Sequence, residues 1–504
     1  MGAADRQARS RGRGLLHALA AATLGSAALL GSPAAALAQP IKTNSFTLDV
    51  FQGPVLAPAD IIGTAGAYAG YAEGLDGLVS NAAAPAVRSG QSVTFLDWDV
   101  SGSISVPIRL FGGNDDFDDS GKNDHDFSSF IYGTAGAMIQ YGVFGAGVNV
   151  ELQRYSLTSK SAAGSSTTTD VFLGRYHALL GFRLLGDQLM LGGGARMATL
   201  SLDPRASGTR DLTMIGAAPE VGFLVRPDWH SFRIGGTFRF PVHGGQFIGA
   251  PESEKGLKTA GGLVLPGDVV VPWELELGAT LQVGPRPLNP EWIDPRKQEE
   301  ALHAAFEAIR NARWTAQAAE LAVIADPRAR AARAKALADA EPETRREEDR
   351  EEERVKKRLV EERRGRTRDW PREHLTLFAE LLVTGDVSRG LGMQDFLSQT
   401  LTTGRAPIGS SGAKVNFSPR VGVETEPIPG WMHTRVGSYY EPARISPDEK
   451  NPRVGRQHFT FGADVRLFST TWFGLSPRTE YKAQAYADLS PRYQSVSVGL
   501  GVWH

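Results

Sequence analysis

The sequence predicts an all-β transmembrane fold: an antiparallel outer-membrane β-barrel of about fourteen strands, with an N-terminal plug and an α-helical insert. Three observations carry that expectation. The chain opens with the parts of an export signal, many segments further on alternate apolar and polar side chains, and one charged stretch replaces that alternation with helical periodicity.

The export signal comes first. Arg6, Arg9, Arg11 and Arg13 precede an apolar stretch over residues 15–37, and Ala36-Leu37-Ala38 before Gln39 fits the small-residue cleavage rule. Residues 1–38 are therefore expected to be a cleavable signal peptide. The chain has 0 cysteines, which excludes disulfides, thiolate metal sites and a lipid-modified cysteine, so membrane attachment has to come from the fold. Beyond the leader no run of about 18 apolar residues occurs, which excludes a helical span but not a barrel, whose strands alternate. A formal net charge of -2 gives no electrostatic case for nucleic acid as a partner.

The barrel strands follow. A strand between lipid and lumen needs a period of two. Trp273, Leu275, Leu277, Ala279, Leu281 and Val283 are expected to face lipid, with Glu274, Glu276, Gly278, Thr280 and Gln282 inward. Phe459, Phe461, Ala463, Val465 and Leu467 alternate likewise with His458, Thr460, Gly462, Asp464 and Arg466. Segments of this kind lie near 92–108, 126–140, 143–157, 169–185, 188–201, 210–226, 229–241 and 268–284. After an interruption they resume near 373–387, 413–426, 429–442, 455–468, 471–486 and 490–503. Their even number suits a bacterial barrel, as do tight turns at Gly186-Asp187-Gln188, Pro227-Asp228-Trp229 and Pro427-Ile428-Pro429-Gly430, alternating with long polar loops. The last strand puts Val496, Val498, Leu500 and Val502 on one face and ends in Trp503-His504. It resembles the C-terminal signal read by the barrel-assembly machinery, although His504 departs from the usual terminal aromatic. Outer-membrane lipid and that machinery are the partners this architecture implies.

Residues 59–86, before the first strand, are rich in Ala and Gly, which permit close backbone packing. Gly63, Gly66, Ala67, Tyr68, Ala72, Glu73, Gly74, Gly77, Asn81 and Ala83 resemble the N-terminal hatch of the long-chain fatty-acid transporter (FadL-type) outer-membrane family. Ala82 stands where that family usually has proline, and Gly66-Ala67 replaces a Gly-Gly pair. Related PorV-like secretion-associated barrels share this run. The resemblance implies that residues 39–91 fold inside the barrel as a plug. Gly63, Gly66, Ala67, Tyr68, Glu73 and Asn81 would then be hatch or ligand residues, and hydrophobic compounds such as long-chain fatty acids would pass through the lumen.

The barrel is thus expected over 92–284 and 373–504, interrupted by a helical insert over 285–372. Asp294-Pro295 and Asp326-Pro327 read as helix starts, and Glu341-Pro342 as a further break. Leu302, Phe306, Ile309, Ala312, Ala316, Ala319 and Val323 form a stripe by which the first helix is expected to pack. Between residues 343 and 366 nearly every position is charged. Following an even-numbered strand, the insert is expected in the periplasm, as a solvated spacer or as a dock, through 297–366, for a periplasmic protein or peptidoglycan.

Among the inward charges, Arg233, Arg239, Glu274, Glu276, Asp464 and Arg466 are candidates to guide an anionic head group or to brace the plug, beside Arg175, Arg183 and Glu424. Asp116-x-Asp118-x-Ser120-Gly121, with Asp124 and Asp126, resembles half of a calcium loop, but Phe127 stands at the closing position, and an acidic solvated loop is the preferred reading. His177 and His458 supply imidazoles, yet no G-x-S-x-G, H-E-x-x-H or phosphate loop accompanies them, so no enzyme activity, cofactor or metal is expected. A hydrophobic small-molecule transporter is the first expectation, with Phe247 or Phe396 as aromatic residues of its outer loops. A non-transport barrel that anchors or assists envelope proteins through the insert is the alternative.

Overall fold

The computed structural model describes residues 43–90, 92–108, 125–160, 166–204, 212–245, 247, 258–260, 263–368, 370–371, 373–397, 410–445, 455–470 and 479–503. The export-signal residues, the acidic positions Asp116 to Asp124 and His504 lie outside the described residues.

The wall consists of β1 (Leu96–Pro107), β2 (His125–Tyr141), β3 (Phe144–Lys160), β4 (Ser166–Leu184), β5 (Leu189–Pro204), β6 (Leu212–Val225) and β7 (Phe232–Arg239). It continues as β8 (Glu274–Val283), β9 (Leu375–Thr384), β10 (Asn416–Ile428), β11 (Met432–Glu441), β12 (Arg456–Thr470), β13 (Thr479–Ser490) and β14 (Tyr493–Val502). Each strand pairs antiparallel with its neighbour in sequence, and β14 returns to β1, closing the barrel. Closure satisfies the backbone without water, which a membrane-spanning sheet requires.

The expected alternation sets the two faces. On β8, Leu277, Leu281 and Val283 are exposed outward while Glu276, Thr280 and Gln282 are buried; on β12, Phe459 and Phe461 point out, and His458, Thr460 and Asp464 point in. No helix among the described residues is long and apolar enough to cross a membrane.

Three strand-level expectations need correction. The segment near 268–284 is two strands, because Pro272 has no N–H for a ladder: Asp268–Val271 turns into the lumen and only β8 joins the wall. The segment near 471–486 is strand from Thr479 on, and 471–478 lie outside the described residues. At the C-terminus Val502 and Trp503 are buried; the Trp503 ring stacks on His433 with centroids 4.3 Å apart and does not face lipid. Finally, the described parts of the loops expected near 242–267 and 388–412 fold over the end of the lumen opposite the helical insert. There Thr47–Asp49 pairs in parallel with both Asp268–Val271 and Gly390–Gly392. Phe247 and Phe396 are consequently buried, 3% and 0% exposed, in an apolar cluster with Tyr155, Leu173 and Leu200.

The insert forms a helical hairpin. Asp294 caps α1 (Pro295–Val323) by accepting from the Arg296 N–H, and Asp326 accepts from the Arg328 N–H at the start of α2 (Pro327–Arg368). The break expected at Pro342 does not occur: α2 continues through it for 42 residues, and the carbonyl freed one turn earlier lies on an exposed stretch where water can satisfy it. The apolar stripe does not pack as expected either. Leu302 and Phe306 are half-buried, but the seam between the helices is ionic, Arg310 reaching Glu352 at 3.2 Å and Arg313 reaching Glu341 at 2.8 Å. Since α2 offers carboxylates rather than apolar side chains, these pairs set the rotation of α1 and leave Ile309 and Val323 56% and 81% exposed.

Candidate functional site: the plugged lumen

The plug is seated by the absence of side chains. It carries a short helix, Ala59–Gly63, and two 3-10 turns, Leu75–Val79 and Ala84–Ala86, nearly all buried. Its backbone lies directly on wall glycines: a Cβ at Gly145 would fall 1.7 Å from the Pro85 carbonyl oxygen, and one at Gly192 would fall 2.0 Å from that of Ala82. Small residues on both sides bring the two backbones together.

Polar side chains then fix its orientation. Gly63 ends the short helix against the Tyr486 ring, and Gly66, at φ 80°, takes a left-handed conformation that suits glycine. The next amides are gathered by one carboxylate: Glu380 Oε2 on β9 accepts from the N–H groups of Tyr68 and Ala69 at 2.9 and 2.8 Å, while Ala67 is buried beside them. The Tyr68 hydroxyl donates to the Glu73 carbonyl, and Glu73 pairs with Arg233 at 2.6 Å. Asn81 ties plug to wall, its Nδ2 donating to the carbonyls of Ala69 and Phe223 at 2.8 and 2.9 Å.

The candidate lumen charges form two groups. Around β7 and β8, Arg239 pairs with Glu276 at 3.1 Å and Glu220 at 3.3 Å, and Arg196 pairs with Glu274 at 2.9 Å. Around β11 to β13, Asp464 receives Arg435 at 2.6 Å and the Tyr486 hydroxyl at 2.5 Å. Arg466 stands apart from both, pairing with Glu480 at 3.0 Å with its side chain 40% exposed. His177 Nδ1 is bonded to Glu220, and both nitrogens of His458 are taken by Asp488 and Glu441, so His458 keeps no free nitrogen to activate a nucleophile.

Sequence reading missed Glu380, Arg196, Arg420, Arg435 and Lys482. All five sit at inward positions of their strands, and the signal that could have found them was the same period of two.

Toward the outer end the lumen wall changes character along three adjacent strands. Leu157 and Tyr155 on β3, Val171 and Leu173 on β4, and Leu200 on β5 line an apolar cavity of about 50 Å³. Further in on the same strands, Glu151, Arg175, His177 and Arg196 line a second cavity of about 100 Å³, and Gln52 of the plug borders both. Arg175 Nε is buried without a hydrogen-bond partner among the described residues.

The chain is a closed fourteen-stranded β-barrel holding its own N-terminal plug. No protein-family model matches it, and no curated protein does. Among solved structures it is similar to the CymD monoaromatic hydrocarbon channel, at TM-score 0.43 and 8% identity over 90% of this chain and 97% of that one. It is also similar to a Pseudomonas aeruginosa FadL homologue, at TM-score 0.43 and 11% identity over 92% and 98%. The Pseudomonas putida toluene transporter TodX is a third such structure, at TM-score 0.42 and 9% identity over 91% and 99%. The strand order and plug contacts described above rest on this chain's own pairing.

Proposed function

We propose that this barrel conducts hydrophobic compounds across the outer membrane, taking amphiphiles with an anionic head, long-chain fatty acids among them, by a plug-gated route. One observation carries this reading: the apolar-to-charged gradient on β3 to β5. From Val171 to His177 the lumen face of β4 runs roughly 20 Å, enough to lay an acyl chain on Leu173 and Tyr155 with its carboxylate at Arg175. Arg175 is half-buried, and its buried Nε, without an acceptor among the described residues, favours such a head group. Both cavities are smaller than the roughly 300 Å³ of an ordinary ligand pocket, so entry requires plug residues 50–57 to retreat. That is the gating step.

The test is binding to the purified barrel in detergent, read by displacement of a fluorescent long-chain fatty acid. Arg175→Leu is expected to weaken the acid about tenfold, the scale of one charge-assisted hydrogen bond, and to leave the corresponding alcohol unchanged. Equal loss for acid and alcohol would refute the head-group assignment, and no binding by the unaltered chain would refute the transport reading.

A second reading, a barrel that anchors envelope proteins, is favoured by the exposure of Ile309, Ala312, Ala316, Ala319 and Val323 along α1. Deleting 297–366 separates the two: loss of co-purifying envelope proteins with ligand binding intact supports the anchor.

A further inference from the structure

The residues that join the hairpin to the wall do more than carry two helices. Arg233 on β7, fully buried, donates to the plug at the Tyr71 carbonyl (3.0 Å) and Glu73 (2.6 Å), and to the first foot of the insert at Asn289 Oδ1 (2.8 Å) and the Leu288 carbonyl (2.5 Å). Asn289 in turn donates to the carbonyls of Pro227, His230 and Phe232 at 2.8, 2.9 and 2.9 Å, so this foot is held by the wall and not by the helices it leads to. Trp292 lies between two guanidiniums, Arg88 of the plug and Arg183 of β4, at 4.5 and 4.6 Å from its ring centre. On the far side, Arg286 pairs with Glu426 of β10 at 3.1 Å.

Both feet reach the end of the plug. A Cβ at Gly90 would lie 2.5 Å from Pro290 of the first foot and 3.0 Å from Trp370 of the second. A polar cavity of about 70 Å³ lies between plug and feet, lined by Tyr71, Glu73 and Asp76 of the plug and by Arg286, Leu288 and Trp370 of the feet. At the same end of the barrel Gly142 and Val143 join β2 to β3 in two residues, which is all a wall turn needs.

We propose that residues 285–294, with 370–371 and 373–374, are a strap that closes the inner mouth of the lumen beneath the plug, and that the helices between them are not needed for closure. The buried bonds of Arg233 and Asn289 belong to the strap, and the hairpin beyond Arg296 contributes none of them. This inference does not depend on what the lumen carries.

The chain has no cysteine of its own, so Ser101→Cys, on β1 in the lining of that cavity, gives a single thiol reporter. Its reaction with a bulky charged maleimide is measured on the folded, detergent-purified full chain, with heat-modifiable mobility certifying the barrel. Removing 297–366 and joining the ends with a short Gly-Ser link is expected to leave the rate within about twofold of the parent, because the mouth of a small barrel is closed by what fills it. Replacing 285–373 by a tight turn is expected to raise the rate about tenfold or more, as a water-filled lumen becomes open. Equal rates in parent and strapless chains, or the same rise in both deletions, would overturn the proposal. Should the strapless chain not fold, Asn289→Ala, which frees the foot from three carbonyls, is expected to raise the rate several-fold, and an unchanged rate would overturn the proposal equally.

Discussion

Lys482 is the residue on which the plug is most narrowly balanced. Its ammonium faces three carboxylates, Asp60 at 3.3 Å, Asp464 at 3.9 Å and Asp76 at 4.0 Å, two from the plug and one from the wall. Removing one partner of a buried charge cluster costs about 3–5 kcal/mol, because the remaining charges lose their compensation. Lys482→Met is therefore expected to loosen the plug while the wall persists, seen as faster amide exchange at residues 60–77 with unchanged exchange in β3 to β5. Gly145 makes the steric counterpart. Gly145→Val would drive a side chain into the Pro85 carbonyl, and a loss of about 1–3 kcal/mol, the usual cost of overpacking, is expected in urea unfolding.

At the scale of elements the hairpin behaves unlike the strands. Its seam is electrostatic over most of its length: Glu320 with Arg333 at 2.7 Å and Lys356 with Glu299 at 3.2 Å continue the pairs of Arg310 and Arg313. A hydrogen bond from Arg333 holds the Glu320 carboxyl below its usual range. A carboxyl lowered by folding adds stability that is present above its unfolded value and lost as pH falls through the folded one. The hairpin is thus expected to open on acidification through the carboxylate range and again in molar salt, with the barrel intact. Spin labels at Ala319 and Ala334 would report the widening, and an unchanged distance at low pH would contradict the ionic seam.

At the scale of the molecule, the hairpin shares one end of the barrel with the tight turns at 142–143, 185–188 and 429–431, and most long connections share the other, where the two-residue turn Pro491-Arg492 is the exception. Short turns are periplasmic in such barrels. A protease site placed within 343–366 is expected to resist protease added to intact cells and to be cut once the outer membrane is permeabilised. Cleavage in intact cells would invert the molecule. The same architecture explains how much of the site could be read beforehand. The inward positions of Glu276, Thr280 and Asp464 were legible, because a period of two is a local property. The pairing of Lys482 was not, because its partner Asp60 is 422 residues away in the chain.

The sequence by itself determined the barrel class, the number of wall strands, which side chains face lipid, and the interruption by helices, all of which follow from periodicity within a few residues. It also marked the small-residue run that fills the lumen. Only the tertiary structure decided which charges meet, since closure brings β11, β12 and β13 against a plug from the other end of the chain. It also decided that the loops carrying Phe247 and Phe396 fold inward, that α1 turns its apolar stripe to solvent, and that the feet of the insert cross the inner mouth. In each case the outcome depends on a partner distant in sequence, and local patterning has no term for that partner.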